Sequence, residues 1–284
     1  MAALLLILIF ISSPFCYAQE ETVQEGTEPA QEVSGFSLTQ YEDGGQKKWR
    51  MNGKSAEVED EKVRIKEISA VAFGEDTILK LKAREGDFNR KENIVHLENN
   101  VVVKTTDGTR LTTDSLDWDV ETRNVFTDDF VNIKKADFDV NGIGAQVDLE
   151  AKTAELKKDI TAKISSATPD FLQSAGEEQW TKITCDGPLD INYKKHKATF
   201  LNNVLVEDAQ GNIFSDRIDV YFSKDTRRIR CVVARGNVRI VNGENVTYSE
   251  KAIYLVDQGR VVLPKRPKLV IQSEAASLQG EQQR

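Results

Sequence analysis

From Phe36 onward the large apolar residues fall at alternate positions in short runs. Val63 and Ile65, Leu79, Leu81 and Ala83, Val101 and Val103, Leu116 and Trp118, Val131 and Ile133, and Phe138 and Val140 are examples. Gly, Asn and Asp separate the runs. A period of two marks strands with one buried face, and so many short runs between turn residues predict an all-β body. No segment carries the 3.6-residue period of a long helix. Alternation fails between about Ser165 and Glu178 and resumes at Trp180, continuing through Ile183, Cys185, Leu189, Ile191, Phe200, Val204 and Val206. It then runs through Ile218, Val220, Phe222, Ile229, Cys231, Val233, Val238, Ile240 and beyond to Leu269 and Ile271. Pro264 and Pro267 confine their stretch to an edge or a turn, because proline donates nothing to a ladder.

A phrase recurs within this pattern: an alternating strand ending near Asn-Val, a Gly turn, and a second strand carrying Asp. One copy holds Asn100-Val101, Asp107-Gly108 and Asp114; another holds Asn203-Val204, Gln210-Gly211 and Asp216; Gly236-Asn237-Val238 with Asn242-Gly243 opens a third. Val101, Val131 and Ile160 recur at about 30-residue intervals, and Val204 and Val238 at about 34, as stacked supersecondary units require. The expected organisation is a β block at 35–165, a linker at 166–178, a second β block at 179–273 and a polar tail at 274–284. Such units stack either as a closed sandwich or as an open, elongated jelly-roll whose terminal strands stay available to a partner.

The N-terminus changes the picture. Ala2–Ile11 is an unbroken apolar run, followed by Pro14 and by Cys16-Tyr17-Ala18, a small-x-small site for signal peptidase. Residues 1–18 read as a cleaved export signal or as a short membrane anchor, and the acidic residues 19–34 as a flexible spacer. Acidic residues exceed basic ones, 46 against 38, with both signs interspersed, which argues against a nucleic-acid partner. Once Cys16 leaves with a signal, Cys185 and Cys231 remain, and buried free thiols are expected over a bridge.

Candidate chemistry is sparse. His96 and His196 read as ordinary strand residues without a second ligand at metal-binding spacing, and no phosphate loop, nucleophile elbow or Cys-x-x-Cys pair is present. Asp114, Asp117, Asp119, Asp128 and Asp129 could be imagined as a calcium site or an acid/base pair. The recurrence of Asp114 as Asp216 instead assigns both to turns or strand edges. The inward stripe is the remaining candidate: Val101, Val103, Leu116, Trp118, Val131, Ile133, Phe138 and Val140 in the first block, and Phe200, Val204, Val206, Ile218, Val220, Phe222, Val238 and Ile240 in the second. It either fills a dry core or lines a trough for acyl chains.

Phe36-Ser37-Leu38-Thr39-Gln40-Tyr41, Gly44, Gly45, Trp49, Gly53, Ala56, Val63, Ile65 and Phe73 resemble the start of the periplasmic domain of lipopolysaccharide transport protein C. Gly86, Asn89, Asn100-Val101, Asp107-Gly108, Leu111 and Thr113–Leu116 continue the likeness. From Cys185-Asp186-Gly187-Pro188-Leu189 to Gly236-Asn237-Val238 the chain is similar to the organic-solvent-tolerance (OstA-like) domain of transport protein A. The resemblance implies two tandem incomplete, open β-jelly-rolls in a periplasmic bridge, without cofactor, metal or enzymatic activity. Acyl chains of lipopolysaccharide would lie between the sheets. The implied partners are the inner-membrane lipopolysaccharide-export ABC transporter complex and other OstA-like rolls joined edge to edge, through strands near Phe36–Trp49 and Val261–Ile271. C-type members usually keep a membrane anchor and hold one roll, whereas here a second roll follows. The rival classes are an envelope scaffold with a dry core and a carbohydrate-active β enzyme.

Overall fold

The computed structural model describes residues 31–270 except 42–44, 60, 74–77, 90, 120, 123, 149, 166–179, 209–210, 225–228, 259 and 265. The signal or anchor, most of the acidic spacer, the linker core, Ile271 and the polar tail lie outside the described residues. The chain divides into two units, one of residues 1–157 with 192–194, the other of 158–191 with 195–284.

The first unit is an antiparallel meander, as alternation without long crossovers dictates. Its strands are β1 (Gln31–Tyr41), β2 (Lys47–Val58), β3 (Lys62–Phe73), β4 (Ile78–Asn89), β5 (Ile94–Thr105), β6 (Arg110–Asp119), β7 (Asn124–Lys135) and β8 (Phe138–Asp148). Each from β1 to β7 pairs with the next. β1 begins at Gln31, inside the stretch expected as spacer, because Gln31–Ser34 pair with Val58–Ser55 of β2. β9 (Thr153–Ser165) belongs to the second unit from Lys158 on. There it pairs with β10 (Trp180–Cys185), which pairs with β12 (Lys197–Asp208) after the short β11 (Leu189–Asn192). β13 (Gly211–Phe222), β14 (Ile229–Asn242) and β15 (Asn245–Leu255) follow as successive hairpins. β16 (Arg260–Val262) and β17 (Lys268–Val270) pair with the two halves of β15, and Pro264 and Pro267 lie between them.

The recurring phrase has a different geometry from the one its sequence suggests. Asn-Val does not end a strand. It sits mid-strand, where Asn99 and Asn100 of β5, Asn202 and Asn203 of β12, and Gly236 and Asn237 of β14 all have positive φ. At each place the ladder slips, between Glu98 and Val101, Leu201 and Val204, and Arg235 and Val238. These are bulges, which bend a strand and sharpen its twist; Asn tolerates the left-handed region better than other side chains. Gly35, Glu67 and Gly144 also have positive φ, and Asp128–Asp129 mark a slip in β7. The kinks line up across neighbouring strands as a seam. Lys54, Arg84, Asp114 and Gly144 stand on it at intervals of 30 residues. The residue completing each kink drops into the core, so Val101 is 0% exposed and Val204 and Val238 are 1% exposed.

Asp114 and Asp216 are therefore seam residues rather than turn residues. Asp216 accepts a hydrogen bond from Asn237 Nδ2 at 2.9 Å, pinning β13 to the β14 kink. The turns are made by other acids. Asp107 accepts from the Thr105 hydroxyl, from the Thr109 N–H at 3.2 Å and from Lys135 Nζ at 3.3 Å, closing the β5–β6 hairpin. Asp119 accepts from the N–H groups of Glu121 and Thr122 between β6 and β7. His196, expected on a strand, lies in the turn before β12 with φ of 49°, and its carbonyl accepts from the Phe222 N–H.

Gly236 tests the seam. Its φ is 76°, and an added Cβ would lie 2.3 Å from Asp216 Oδ2, whereas Gly108, with φ of 87°, has open space around it. Gly108→Ala is expected to cost about 1–2 kcal/mol of unfolding free energy from the left-handed backbone alone. Gly236→Ala should cost at least ~1 kcal/mol more, because it also breaks the Asp216–Asn237 bond. Urea titration of both variants measures the difference, and equal losses would remove the seam's structural role.

Candidate functional site

Inward side chains line up across strands because register pairs like with like. In the first unit one row runs Leu38, Met51, Ala70, Leu81, Val103, Leu111, Ile133, Val140, crossing all of β1 to β8. On the other side of the seam a second row runs Val58, Val63, Phe88, Val95, Trp118, Val125, Val147. The second unit repeats this. Ala162, Ile183, Val206, Ile213, Ile240, Thr247 and Leu269 form one row, and Ala198, Val220, Val232, Tyr254 and Val261 form another. The first-unit rows hold no charged residue. Each unit thus carries apolar tracks perpendicular to its strands.

The stripe read from the sequence falls on and beside these tracks. Val101, Val103, Leu116 and Val131 are buried, as are Phe200, Val204, Val206, Ile218, Val220 and Val238. Trp118, Ile133, Phe138, Val140, Phe222 and Ile240 are half-buried. Val103, Leu116 and Val131, with Leu111, Val125 and Val147, border an apolar cavity of about 40 Å³. That is little more than one water's share of liquid volume, roughly 30 Å³, and far below the few hundred Å³ of a ligand pocket. Among the described residues the buried Thr113 hydroxyl, which borders this cavity, and the buried Trp118 indole N–H have no hydrogen-bond partner. The tracks end in exposed apolar side chains at the outer strands: Leu38 is 48% exposed on β1, Val261 is 52% exposed on β16, and Leu269 is 58% exposed on β17.

The acidic residues imagined as a site do not converge. Asp117 accepts from His96, Asp129 from the Ser115 hydroxyl at 2.6 Å, and Asp128 pairs with Lys157, while Asp114 is exposed. Among the described residues no group of three His, Cys, Asp or Glu side chains could hold a metal ion. Cys185 is buried and Cys231 half-buried, both as free thiols.

Two charged constellations occupy outward faces. On β2 to β6 the directly opposed residues Glu57, Arg64, Asp87, His96 and Asp117 alternate in sign. His96 Nδ1 lies 2.6 Å from Asp117 Oδ1, and its Nε2 3.7 Å from Glu98 Oε2. Burial alone would lower the His96 pKa, but the bond to Asp117 and the charges of Asp117 and Glu98 outweigh it and raise the value above 6.5. Sequence reasoning missed the second constellation. Asp219 of β13 is 1% exposed and accepts from Thr199 Oγ1 at 3.0 Å, Arg217 Nε at 2.9 Å and Lys197 Nζ at 2.9 Å, with Arg235 Nε at 3.5 Å. Burial raises its pKa, yet these donors more than compensate and hold it below the usual carboxylate value. The detectable signal was parity: Lys197, Thr199, Arg217 and Arg235 all belong to one face.

These features define an all-β protein of the jelly-roll type used in lipopolysaccharide transport. Residues 1–165 match the family model described as lipopolysaccharide-assembly, LptC-related, and the chain belongs to that family. Residues 182–282 match the model described as LptA/(LptD N-terminal domain) LPS transport protein, so the C-type and OstA-like domains follow in the order read from the sequence. The chain has a role in lipopolysaccharide transport. No curated protein matches it.

The His96 shift fixes a pH dependence. Because the folded pKa is raised, the stabilisation is complete below the unfolded value of about 6.5 and is lost as pH climbs through the higher folded value. Asp117→Asn is expected to flatten stability between pH 6 and 8, measured by urea midpoints; an unchanged slope would show that the pair is inert. Asp219→Ala should lower unfolding free energy by about 2–3 kcal/mol, less than for a fully buried ion group because Arg217 and Arg235 are partly solvated. Thermal denaturation reads this loss.

Proposed function

We propose that the two units form a periplasmic path for lipopolysaccharide, in which acyl chains lie along the apolar tracks between the sheets. The observation that carries this reading is the course of the tracks. They cross strand after strand and end on exposed apolar residues, Leu38 at one outer strand and Val261 and Leu269 at another. A closed core would bury its end residues. Tracks that finish on exposed side chains at strands with no second neighbour among the described residues are suited to continuation on a neighbour's roll.

The cavity of about 40 Å³ holds no acyl chain, so lipid entry requires the sheets to part beside Val103, Leu116 and Val131. Each methylene moved out of water is worth roughly 0.8 kcal/mol, and several acyl chains supply enough to offset a modest separation. The groove residues are the sixteen of the inward stripe, from Val101 to Ile240. The chain would receive lipid from the inner-membrane ABC transporter, whose ATP hydrolysis drives movement, and pass it to another OstA-like roll towards the outer membrane. The docking edges are β1 and the β16–β17 edge. The N-terminal segment either tethers the chain to the inner membrane or is removed. No chemical step is required of the protein.

A photoreactive phenylalanine analogue at Trp118 or Phe222 is expected to give lipopolysaccharide adducts in cells exporting lipid, while the same analogue at outward Lys104 gives none. Absence of adducts at both inward positions during active export would sink the proposal. Leu38→Arg, at a position already half exposed, should leave the thermal midpoint within a degree or two and still lower adduct yield severalfold for the analogue placed at Ile133 on the same row, because a charge then interrupts that track at its open end.

A further inference from the structure

We propose that the outward face of the second unit holds a phosphate-binding site formed by Arg217, Arg235 and Lys251, with Lys197 beside them and Asp219 beneath. Register places Arg217 of β13 directly opposite Arg235 of β14, and Arg235 directly opposite Lys251 of β15. Like charges facing each other across strands are destabilising, and here three stand in one row. Asp219 is in contact with Arg217 and Arg235 of the row and is shared with Lys197 as well. Asp216 and Glu250 flank it at the seam, and Asp216 is already bonded to Asn237. Three cations therefore contact one buried anion, Lys251 adds a fourth to the row, and their sum with Asp219 is positive.

The corresponding place in the first unit shows that the scaffold does not demand this. Counting from the Asn-Val kink, Asp117 occupies the position of Asp219 and Glu98–Ser115 that of Leu201–Arg217. There the row reads Ser55, Lys66, Glu85, Glu98, Ser115, with Ser115 where the second unit has Arg217 and Glu98 where it has Leu201, and Asp117 binds His96. At the fold position of Arg217 the first unit carries an uncharged serine. The difference belongs to the residues, and so to what each face meets.

Asp219 also orients the row. Arg217 lies on its Oδ1 through both Nε and Nη2, each at 2.9 Å, and Arg235 approaches its Oδ2 through Nε. A guanidinium held along one edge presents its remaining donors in a set direction. With 42% and 48% of their side chains exposed, Arg217 and Arg235 offer those donors to solvent. One guanidinium fixed by hydrogen bonds and a second paired at 3.5 Å, beside a lysine point charge, match the tetrahedral oxygens of a phosphate better than a single carboxylate. That phosphate is either a lipopolysaccharide headgroup or free phosphate, and the two arms of the test tell them apart. The first source rests on the lipid-path reading; the site itself does not.

The test uses the full chain and the double variant Arg235→Gln/Lys251→Gln, which leaves Lys197, Arg217 and Thr199 on Asp219. Titration with inorganic pyrophosphate, followed through the arginine Nε resonances, should shift Arg217 and Arg235 in the wild type and weaken at least about tenfold in the variant, the ratio one charge-assisted hydrogen bond supplies. A Lys66→Gln variant in the first unit should bind as the wild type does. In a second arm, phosphorylated lipid A and the same lipid after phosphatase treatment are compared. A phosphate-dependent gain in the wild type that the double variant lacks supports the headgroup as source. Pyrophosphate binding without that gain keeps the site and assigns it to free phosphate. If pyrophosphate shifts neither arginine, the site is overturned, whatever the lipids do. Equal binding of both lipids to wild type and variant would leave the acyl path standing without a phosphate contact.

Discussion

Everything in this protein depends on forcing the backbone through the left-handed region in the middle of its strands. A straight antiparallel meander of twelve-residue strands would bury one face and stop there. The paired kinks at Asn99–Asn100, Asn202–Asn203 and Gly236–Asn237 bend the strands along a seam, so that apolar rows form on both sides of it. L-residues adopt that conformation at a cost, and Asn and Gly pay least. Glu67, with φ of 52°, bears the same strain without either chemistry, which shows that tertiary pairing enforces the seam where local preference does not.

The two sides of each strand then do different work. Inward, the rows are largely apolar and their registers unbroken, and a small cavity lies beside Val131. Outward, charge is arranged in ladders whose sign pattern differs between the units. The Glu57-to-Asp117 ladder alternates and largely neutralises itself, whereas the Arg217–Arg235–Lys251 row does not. One scaffold thus carries two different outer faces.

Alternation, repeat length and inward parity were legible in the sequence because each follows from the two-residue strand period. Val101, Val131, Ile160, Val204 and Val238, picked as recurring anchors, are each no more than 1% exposed. The meaning of the Asn and Asp in the phrase was not legible. Asn reads as a turn former wherever it occurs, and nothing local distinguishes a mid-strand kink from a strand end. Asp114 and Asp107 illustrate the limit: both follow the same strand, yet only Asp107 finds the Thr105 hydroxyl and Thr109 N–H that make a turn. The Asp219 cluster escaped because its members are drawn from three strands and converge only once the β12–β14 register is known.

The 30-residue spacing of Lys54, Arg84, Asp114 and Gly144 along the seam has an evolutionary corollary. One hairpin advances the seam by one full step and returns every side chain to the same face. A roll of this kind can be lengthened or shortened by whole hairpins with its tracks intact, while a single inserted residue turns the remainder of its strand inside out. The length of such a roll is thus quantised, and its natural unit of change is the hairpin.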